Sequence, residues 1–156
     1  MQKLLASIIA LAAFAGTASA QTEKVGPWSI SGSKGNCIAA TAGEVRLALV
    51  SPDPGGKNYG ALVLAGPKDW AIEDGKGYWL WFKGPEGWAG VHRGIGKRSV
   101  NGYWMPFERA TQVDLLPDSW RFQATLDSVQ IADFPVTDFH GALAALRRCV
   151  ERTRAS

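Results

Sequence analysis

The chain has 156 residues and a formal net charge of +3. This length predicts a single domain that is large enough to bury a core. The mild positive charge lacks the strong basic stripe that is typical of nucleic-acid-binding proteins, so nucleic acid is not an expected partner.

The first 20 residues follow the pattern of a secretory signal peptide. Lys3 precedes an apolar run of about a dozen residues, and Ala18-Ser19-Ala20 supplies the small side chains of a cleavage site. The run is shorter than the roughly 20 residues that span a bilayer. We expect cleavage near Ala20 and a periplasmic or secreted domain over residues 21–156 without a transmembrane segment. An uncleaved anchor or a buried helix is the alternative.

Glycine and proline separate short β-prone runs from residue 26 to residue 106. Further along, residues 121–126 alternate polar and apolar side chains, which is the period of a half-buried strand. Residues 129–132 follow as a hairpin partner across Asp127-Ser128. Residues 115–120 could instead begin a helix. About eight short strands are expected.

The period of the sequence changes near the C-terminus. Asp138 can cap a helix by accepting hydrogen bonds from the amides of its first turn. Six following residues fall on one helical face, namely Phe139, Ala142, Leu143, Leu146, Cys149 and Val150. Three arginines favour the negative end of the helix dipole: Arg147, Arg148 and Arg152. The sequence therefore predicts a mainly β fold, an antiparallel β-sandwich or curled sheet with one C-terminal helix over residues 138–152.

The two cysteines, Cys37 and Cys149, lie near the two ends of this domain. In an exported protein they are expected to form a disulfide. The bond would close a loop of about 110 residues, for which the chain-entropy model gives roughly 4–5 kcal/mol of stabilisation. A reactive thiol or a metal-binding pair is the alternative, but there is no C-x-x-C motif and no histidine cluster.

The run Tyr78-Trp79-Leu80-Trp81-Phe82 is apolar on both faces of a predicted strand. Side chains alternate along a strand, so Trp79 and Trp81 share one face and the other three residues share the opposite face. Either the tryptophans belong to the core, or they form an exposed stacking face for a sugar or an apolar partner.

The segment 92–98 concentrates cationic side chains between glycines. These side chains are His92, Arg93, Lys97 and Arg98. We expect an exposed, mobile hairpin loop there, and such a loop could bind an anion such as a phosphorylated lipid, an acidic glycan or an acidic protein patch. A solvated loop without a partner is the alternative.

The motifs of catalysis are incomplete in this sequence. Ser31-Gly32-Ser33-Lys34 matches S-x-x-K, but no K-T-G follows and the glycine-rich setting favours a turn. His92 and His140 lie far apart in the chain, without a nucleophile and an acid that the sequence assigns to them. Two such histidines do not provide the three or four ligands of a metal site. We therefore expect no metal, no cofactor and no enzymatic activity.

The stretch from Trp120 to Cys149 combines a strand pair with a short helix of the Phe-x-x-Ala-Leu type and a late cysteine. It resembles the C-terminal part of proteins similar to invasion-associated locus B, which are small periplasmic proteins of Gram-negative bacteria. Trp28 and Cys37 near the start of the domain are compatible with that pattern. The resemblance implies an antiparallel β domain in the periplasm, and it transfers no catalytic residue.

These features predict an exported, non-enzymatic binding or interaction protein of the cell envelope. Its expected partner is an envelope protein or an anionic glycan or lipid. Two alternatives stay open at this point: a secreted inhibitor of another enzyme, and a hydrolase with an unrecognised site.

Overall fold

The computed structural model describes residues 22–52, 59–83, 89–109 and 111–154, and the side chains of residues 82 and 89 are not described. The predicted signal peptide lies outside these ranges. The described strands are β1 Glu23–Val25, β2 Trp28–Ser33, β3 Asn36–Thr41, β4 Arg46–Val50, β5 Ala61–Ala65, β6 Gly77–Lys83, β7 Ala89–Lys97, β8 Gly102–Pro106, β9 Trp120–Leu126 and β10 Val129–Val136. Within these described ranges one α-helix, α1, spans Phe139–Arg154, and two short 3-10 helices span Arg98–Val100 and Val113–Leu115.

The ten strands form one antiparallel sheet in the order β1-β2-β3-β4-β5-β8-β7-β6-β9-β10. Neighbours in sequence are neighbours in the sheet, except that β5 pairs with β8 and β6 pairs with β9. These two non-local pairings place β6 and β7 inside the sheet, each hydrogen-bonded on both sides. Strand β6 is therefore held by β7 and β9.

The sheet is open, but it is curled so strongly that its two ends lie close together. The indole Nε1 of Trp28, at the start of β2, donates a hydrogen bond of 2.8 Å to the carbonyl oxygen of Thr137, just after β10. Phe139 then packs edge-on against both Trp28 and Trp120, with ring centroids 5.9 and 5.1 Å away. Since β2 and β10 lie near opposite ends of the sheet order, these contacts require a curled sheet. The curled-sheet prediction is confirmed, and the sandwich alternative is wrong because all ten strands belong to one sheet.

Helix α1 covers the inner face of β1, β2 and β3. Its buried residues are Phe139, Ala142, Leu143, Ala145, Leu146 and Cys149. Five of the six residues predicted for the buried face are among them; Val150 is only partly buried, and Ala145 is buried although it was not predicted. Two arginines of its second half are paired with one acid: Arg148 lies 2.5 Å and Arg152 3.3 Å from Glu23 of β1. These ion pairs attach the end of the helix to the edge strand of the sheet.

The carboxylate at the start of α1 comes from Asp118 and not from the predicted Asp138. The amide of His140 donates to Oδ1 of Asp118 at 2.8 Å, and the amide of Phe139 donates to the Asp118 carbonyl at 3.0 Å. Asp138 has a positive φ of 55°, and its carboxyl group lies against Gly26. The prediction of Asp138 as the cap is wrong, because Asp118, in the segment before β9, accepts the hydrogen bonds from the first amides of the helix.

The predicted disulfide is confirmed. Cys37 of β3 and Cys149 of α1 are bonded, with Cα atoms 6.2 Å apart, and both side chains are buried. The predicted hairpin is confirmed as well: Asp127 and Ser128 both have positive φ and connect β9 to β10. A helix over residues 115–120 is not formed; β9 begins at Trp120.

None of the helices in the described part of the chain is both long and apolar enough to cross a membrane.

Candidate functional site

Strand β6 presents its two tryptophans to solvent. Trp79 is 64% exposed and Trp81 is 60% exposed, whereas Leu80 between them is fully buried. Tyr78 also points inward, where its ring packs edge-on against Tyr103 with centroids 5.0 Å apart. The alternation predicted for this strand is therefore present, and the alternative that the tryptophans belong to the core is wrong.

The neighbours of the tryptophans come from the register of the sheet. Trp79 lies opposite Arg93 and Trp81 lies opposite Val91, both on β7. On its other side Trp81 lies opposite Thr125 of β9. Directly opposed residues on antiparallel strands point to the same side of the sheet. We call the surface formed by Trp79, Trp81, Val91 and Arg93 the tryptophan face.

Arg93 lies along the tryptophan face because β6 begins with a glycine. A methyl group added at Gly77 would come within 2.6 Å of Nε and 2.8 Å of one terminal nitrogen of Arg93. The guanidinium group therefore occupies the space above Gly77, next to Trp79 on the same strand face. A planar guanidinium in this position can donate paired hydrogen bonds to a carboxylate or phosphate.

The basic segment 92–98 is a strand and not the predicted loop. Residues 92–97 belong to β7, which pairs with β6 on one side and β8 on the other. Its glycines make room for core side chains: a methyl group at Gly94 would lie 2.8 Å from Leu80, and one at Gly96 would lie 3.1 Å from Tyr78. The prediction was wrong because these glycines serve close packing rather than a turn.

The four side chains of this segment that are or can be cationic do not converge on one place. Alternation along β7 places Arg93 and Lys97 on the outer side, while His92 lies opposite Leu80 on the other side. Arg98 lies directly after the strand. Its backbone amide donates to Asp74 at 2.6 Å, and its Nε donates to the Ile72 carbonyl at 3.0 Å. Only Arg93 belongs to the tryptophan face.

A polar row borders the tryptophan face at the far end of β6. Lys83 is exposed there and lies opposite Gln123 of β9. Gln123 donates to Asp133 of β10 at 3.1 Å, and Arg121 lies 2.6 Å from the same carboxylate. The hydrogen bond from Arg121 holds the pKa of Asp133 below its ordinary value. Asp133 is thus ionised at neutral pH, and the positive charge of Arg121 compensates its negative charge.

An open cleft of about 210 Å³ lies elsewhere, between α1 and the end of β4. Its floor is apolar, with Leu49, Val113, Leu143 and Leu146 among its lining residues. Arg147 stands at its rim and is already paired with Asp114 at 2.7 Å. The cleft therefore offers an apolar floor, and one of the two arginines that line it is paired with an acid.

The remaining candidates from the sequence occupy structural positions. Ser31 lies in β2, and Lys34 lies in the turn to β3 with a positive φ of 51°, so the S-x-x-K match is a hairpin turn. His140 Nε2 lies 2.8 Å from the Leu116 carbonyl oxygen, next to the capping Asp118. Within the described ranges no three histidine, cysteine or acidic side chains gather as a metal site.

No family model, no curated protein and no solved structure matches this chain. The resemblance to proteins similar to invasion-associated locus B stays a prediction.

Two members of the tryptophan face were missing from the sequence predictions in this role. Val91 is 40% exposed, and it joins the face only because β6 and β7 pair in this register. Arg93 was predicted as part of a loop with Lys97 and Arg98. The signal that could have found both is the alternation of β7, in which Val91, Arg93 and Ile95 lie on one side and His92 and Gly94 lie on the other.

Proposed function

We propose that the protein is exported and acts in the cell envelope as a binding protein, with the tryptophan face as its contact surface. One observation carries the proposal: Trp79 and Trp81 stand side by side on an internal strand and are both about two-thirds exposed. At roughly 250 Å² per indole side chain, each ring leaves about 150 Å² in water. At about 25 cal/mol per Å², covering that area would gain roughly 4 kcal/mol per ring.

The rigidity of the strand supports a binding role. β6 is hydrogen-bonded to β7 and β9, so the two rings are held on a fixed surface rather than on a loop. A partner then loses little free energy to ordering of this surface when it binds. Exposed apolar patches of this kind on a folded domain are often interaction sites.

The cellular location rests on the N-terminal pattern and on the disulfide. The signal-peptide pattern of residues 1–20 predicts export. The bond between the buried Cys37 and Cys149 is of the kind that forms and persists in oxidising compartments. Together they favour the periplasm or the cell exterior as the place of action.

The proposal is tested with the full chain, expressed with its leader and recovered in processed form. Immobilised protein is exposed to solubilised cell envelope, beside a Trp79→Thr/Trp81→Thr variant. Threonine keeps the strand propensity and removes the rings. The matched control is Leu115→Thr, which removes an apolar side chain that is 81% exposed outside the tryptophan face.

We expect a component that the wild type and the Leu115 variant retain and that the double tryptophan variant does not. Equal retention by all three proteins would contradict the proposal. A concentration-dependent dimer that the double variant loses would also contradict it, because the face would then serve a second copy of the chain.

A further inference from the structure

We propose that the tryptophan face binds an acidic glycan, a polysaccharide strand whose sugar rings carry carboxylate groups. This inference rests on the proposed function, because it names the ligand chemistry of the same surface. It is drawn from the juxtaposition of two exposed indole rings with cationic side chains at neighbouring positions of the sheet.

The two indoles are suited to stacking against sugar rings. The face of an aromatic ring is electron-rich, and the C–H groups on the apolar side of a pyranose carry a small positive charge. Trp79 and Trp81 are two residues apart on one strand, so their Cα atoms lie about 7 Å from each other. A saccharide chain laid along β6 can therefore contact both rings in succession.

Cationic side chains accompany the rings along the same side of the sheet. Arg93 lies directly opposite Trp79, and Lys83 lies two residues after Trp81 on β6. Lys97 continues the outer side of β7 beyond Arg93. A sugar chain that stacks on the tryptophans thus passes Arg93 at one end and Lys83 at the other, where carboxylates on its rings would be bound.

The nearest acids do not cancel this positive charge. Asp133 is held by Arg121 at 2.6 Å and by Gln123 at 3.1 Å, so its charge is already compensated. Asp127, in the turn after β9, contributes to the raised pKa of Lys76. Arg93, Lys83 and Lys97 outnumber this one carboxylate on the outer side of β6 and β7, so the charge around the two tryptophans is complementary to an anionic ligand.

The size of the apolar area favours a saccharide over a folded protein partner. A stable protein interface buries about 800 Å² on each side. The two indoles together expose roughly 300 Å². Val91 adds a small apolar area on β7, and on the β9 side the surface becomes polar, with Thr125 and Gln123. A sugar chain needs two stacking rings with polar groups at their edges, and this surface provides both.

The test measures binding of two probes that differ only in charge. The probes are a β-1,4-linked glucuronate hexasaccharide and cellohexaose, which has the same backbone without carboxylates. Isothermal titration calorimetry at low salt is carried out on the processed full chain. We expect the acidic probe to bind at least about tenfold more tightly than the neutral one, as two charge-assisted contacts would give. Raising the salt concentration should reduce this preference.

Two variants and a matched control separate stacking from charge. The Trp79→Thr/Trp81→Thr variant should lose at least about tenfold in affinity for both probes. The Lys83→Gln/Arg93→Gln variant should lose about tenfold for the acidic probe and less for cellohexaose. The control Lys24→Gln/Lys68→Gln removes two exposed charges outside the tryptophan face and should bind like the wild type.

Each contrary outcome has a distinct meaning. Equal affinity for the two probes would overturn the acidic character of the ligand. Binding of neither probe, with tryptophan-dependent retention of an envelope component, would overturn the glycan and leave the proposed function standing. If neither probe bound and the double tryptophan variant retained the same envelope components as the wild type, both the glycan and the proposed function would be overturned.

Discussion

Cys149 on α1 is bonded to Cys37 on β3, and 112 positions of sequence separate the two residues. The bond joins the end of the helix to the part of the sheet that the helix covers. Thr153 is part of the same junction, since its hydroxyl accepts a hydrogen bond of 3.0 Å from the amide of Gly35 and donates one of 2.8 Å to the Cys149 carbonyl. The hairpin of β2 and β3 is thus held to the last turn of α1.

Removing this bond should destabilise the domain substantially. The Cys37→Ala/Cys149→Ala variant no longer has the cross-link that limits the unfolded chain, so we expect a loss of about 2–5 kcal/mol in the free energy of unfolding. Urea unfolding followed by fluorescence measures the loss. Both sulfurs of the wild type are in the disulfide, so thiol reagents should not label it until the bond is reduced. An unchanged urea midpoint in the variant would contradict this account.

Asp118 should contribute to the stability of α1 and Asp138 should not. Asp118→Ala removes the acceptor of the His140 amide, and loss of such a cap costs about 1 kcal/mol. Asp138→Gly removes the other carboxyl group. Glycine accepts the positive φ of 55° at that position, so relief of strain offsets its entropy in the unfolded chain. Thermal unfolding compares the two variants; a larger loss in Asp138→Gly would reverse our assignment of the cap.

These features differ in how far the sequence could predict them. The buried face of α1 follows from spacing along one helix, and the hairpin at Asp127-Ser128 follows from two adjacent strands, so both were predicted. The cap from Asp118 depends on a contact across 22 residues that no local pattern contains. Local periodicity contains information only about neighbours along the chain. It therefore predicts the adjacent Asp138 as the cap.

In the candidate site, too, local features could be predicted from the sequence and features that depend on distant contacts could not. Alternation in β6 predicted that Trp79 and Trp81 share a face, but it could not say which face is exposed. That choice depends on the pairing of β5 with β8 and of β6 with β9, which brings Leu80 into the core. The glycines of β7 indicated a loop because sequence cannot distinguish a glycine that turns the chain from one that makes room for Tyr78.

The ion pairs of Glu23 predict a loss of stability in acid. Hydrogen bonds from Arg148 and then Arg152 hold the pKa of Glu23 below its ordinary value of 4.5. Because the pKa is lower in the folded state, the stabilisation is complete above about pH 4.5 and is lost as the pH falls through the folded-state value. The Glu23→Gln variant should therefore be less stable than the wild type at pH 7, and this difference should shrink at pH 3.

Urea midpoints at pH 7 and pH 3 in low salt give this comparison. Glu44→Gln, at an exposed position between β3 and β4, controls for the loss of one carboxyl group and should follow the wild type at both pH values. A gap between Glu23→Gln and the wild type that is equally large at pH 3 would contradict the assignment.

Two glycines on facing strands should respond oppositely to the same substitution. A methyl group at Gly96 of β7 would collide with the backbone carbonyl oxygen of Glu73, and it would lie 3.1 Å from both Ile72 and Tyr78. Backbone atoms cannot move aside cheaply, so we expect Gly96→Ala to cost about 2–3 kcal/mol of stability. The three atoms nearest to a methyl group at Gly77 of β6 would all belong to the flexible end of Arg93.

Gly77→Ala should therefore leave the free energy of unfolding within about 0.5 kcal/mol of the wild type, because an arginine side chain can turn away at little cost. The guanidinium would nevertheless leave its place beside Trp79. We expect this variant to bind cellohexaose and to lose part of its preference for the glucuronate hexasaccharide. Urea unfolding and calorimetry on the two alanine variants measure both effects. If Gly77→Ala kept the full preference, the position of Arg93 above Gly77 would have no part in recognising the carboxylate.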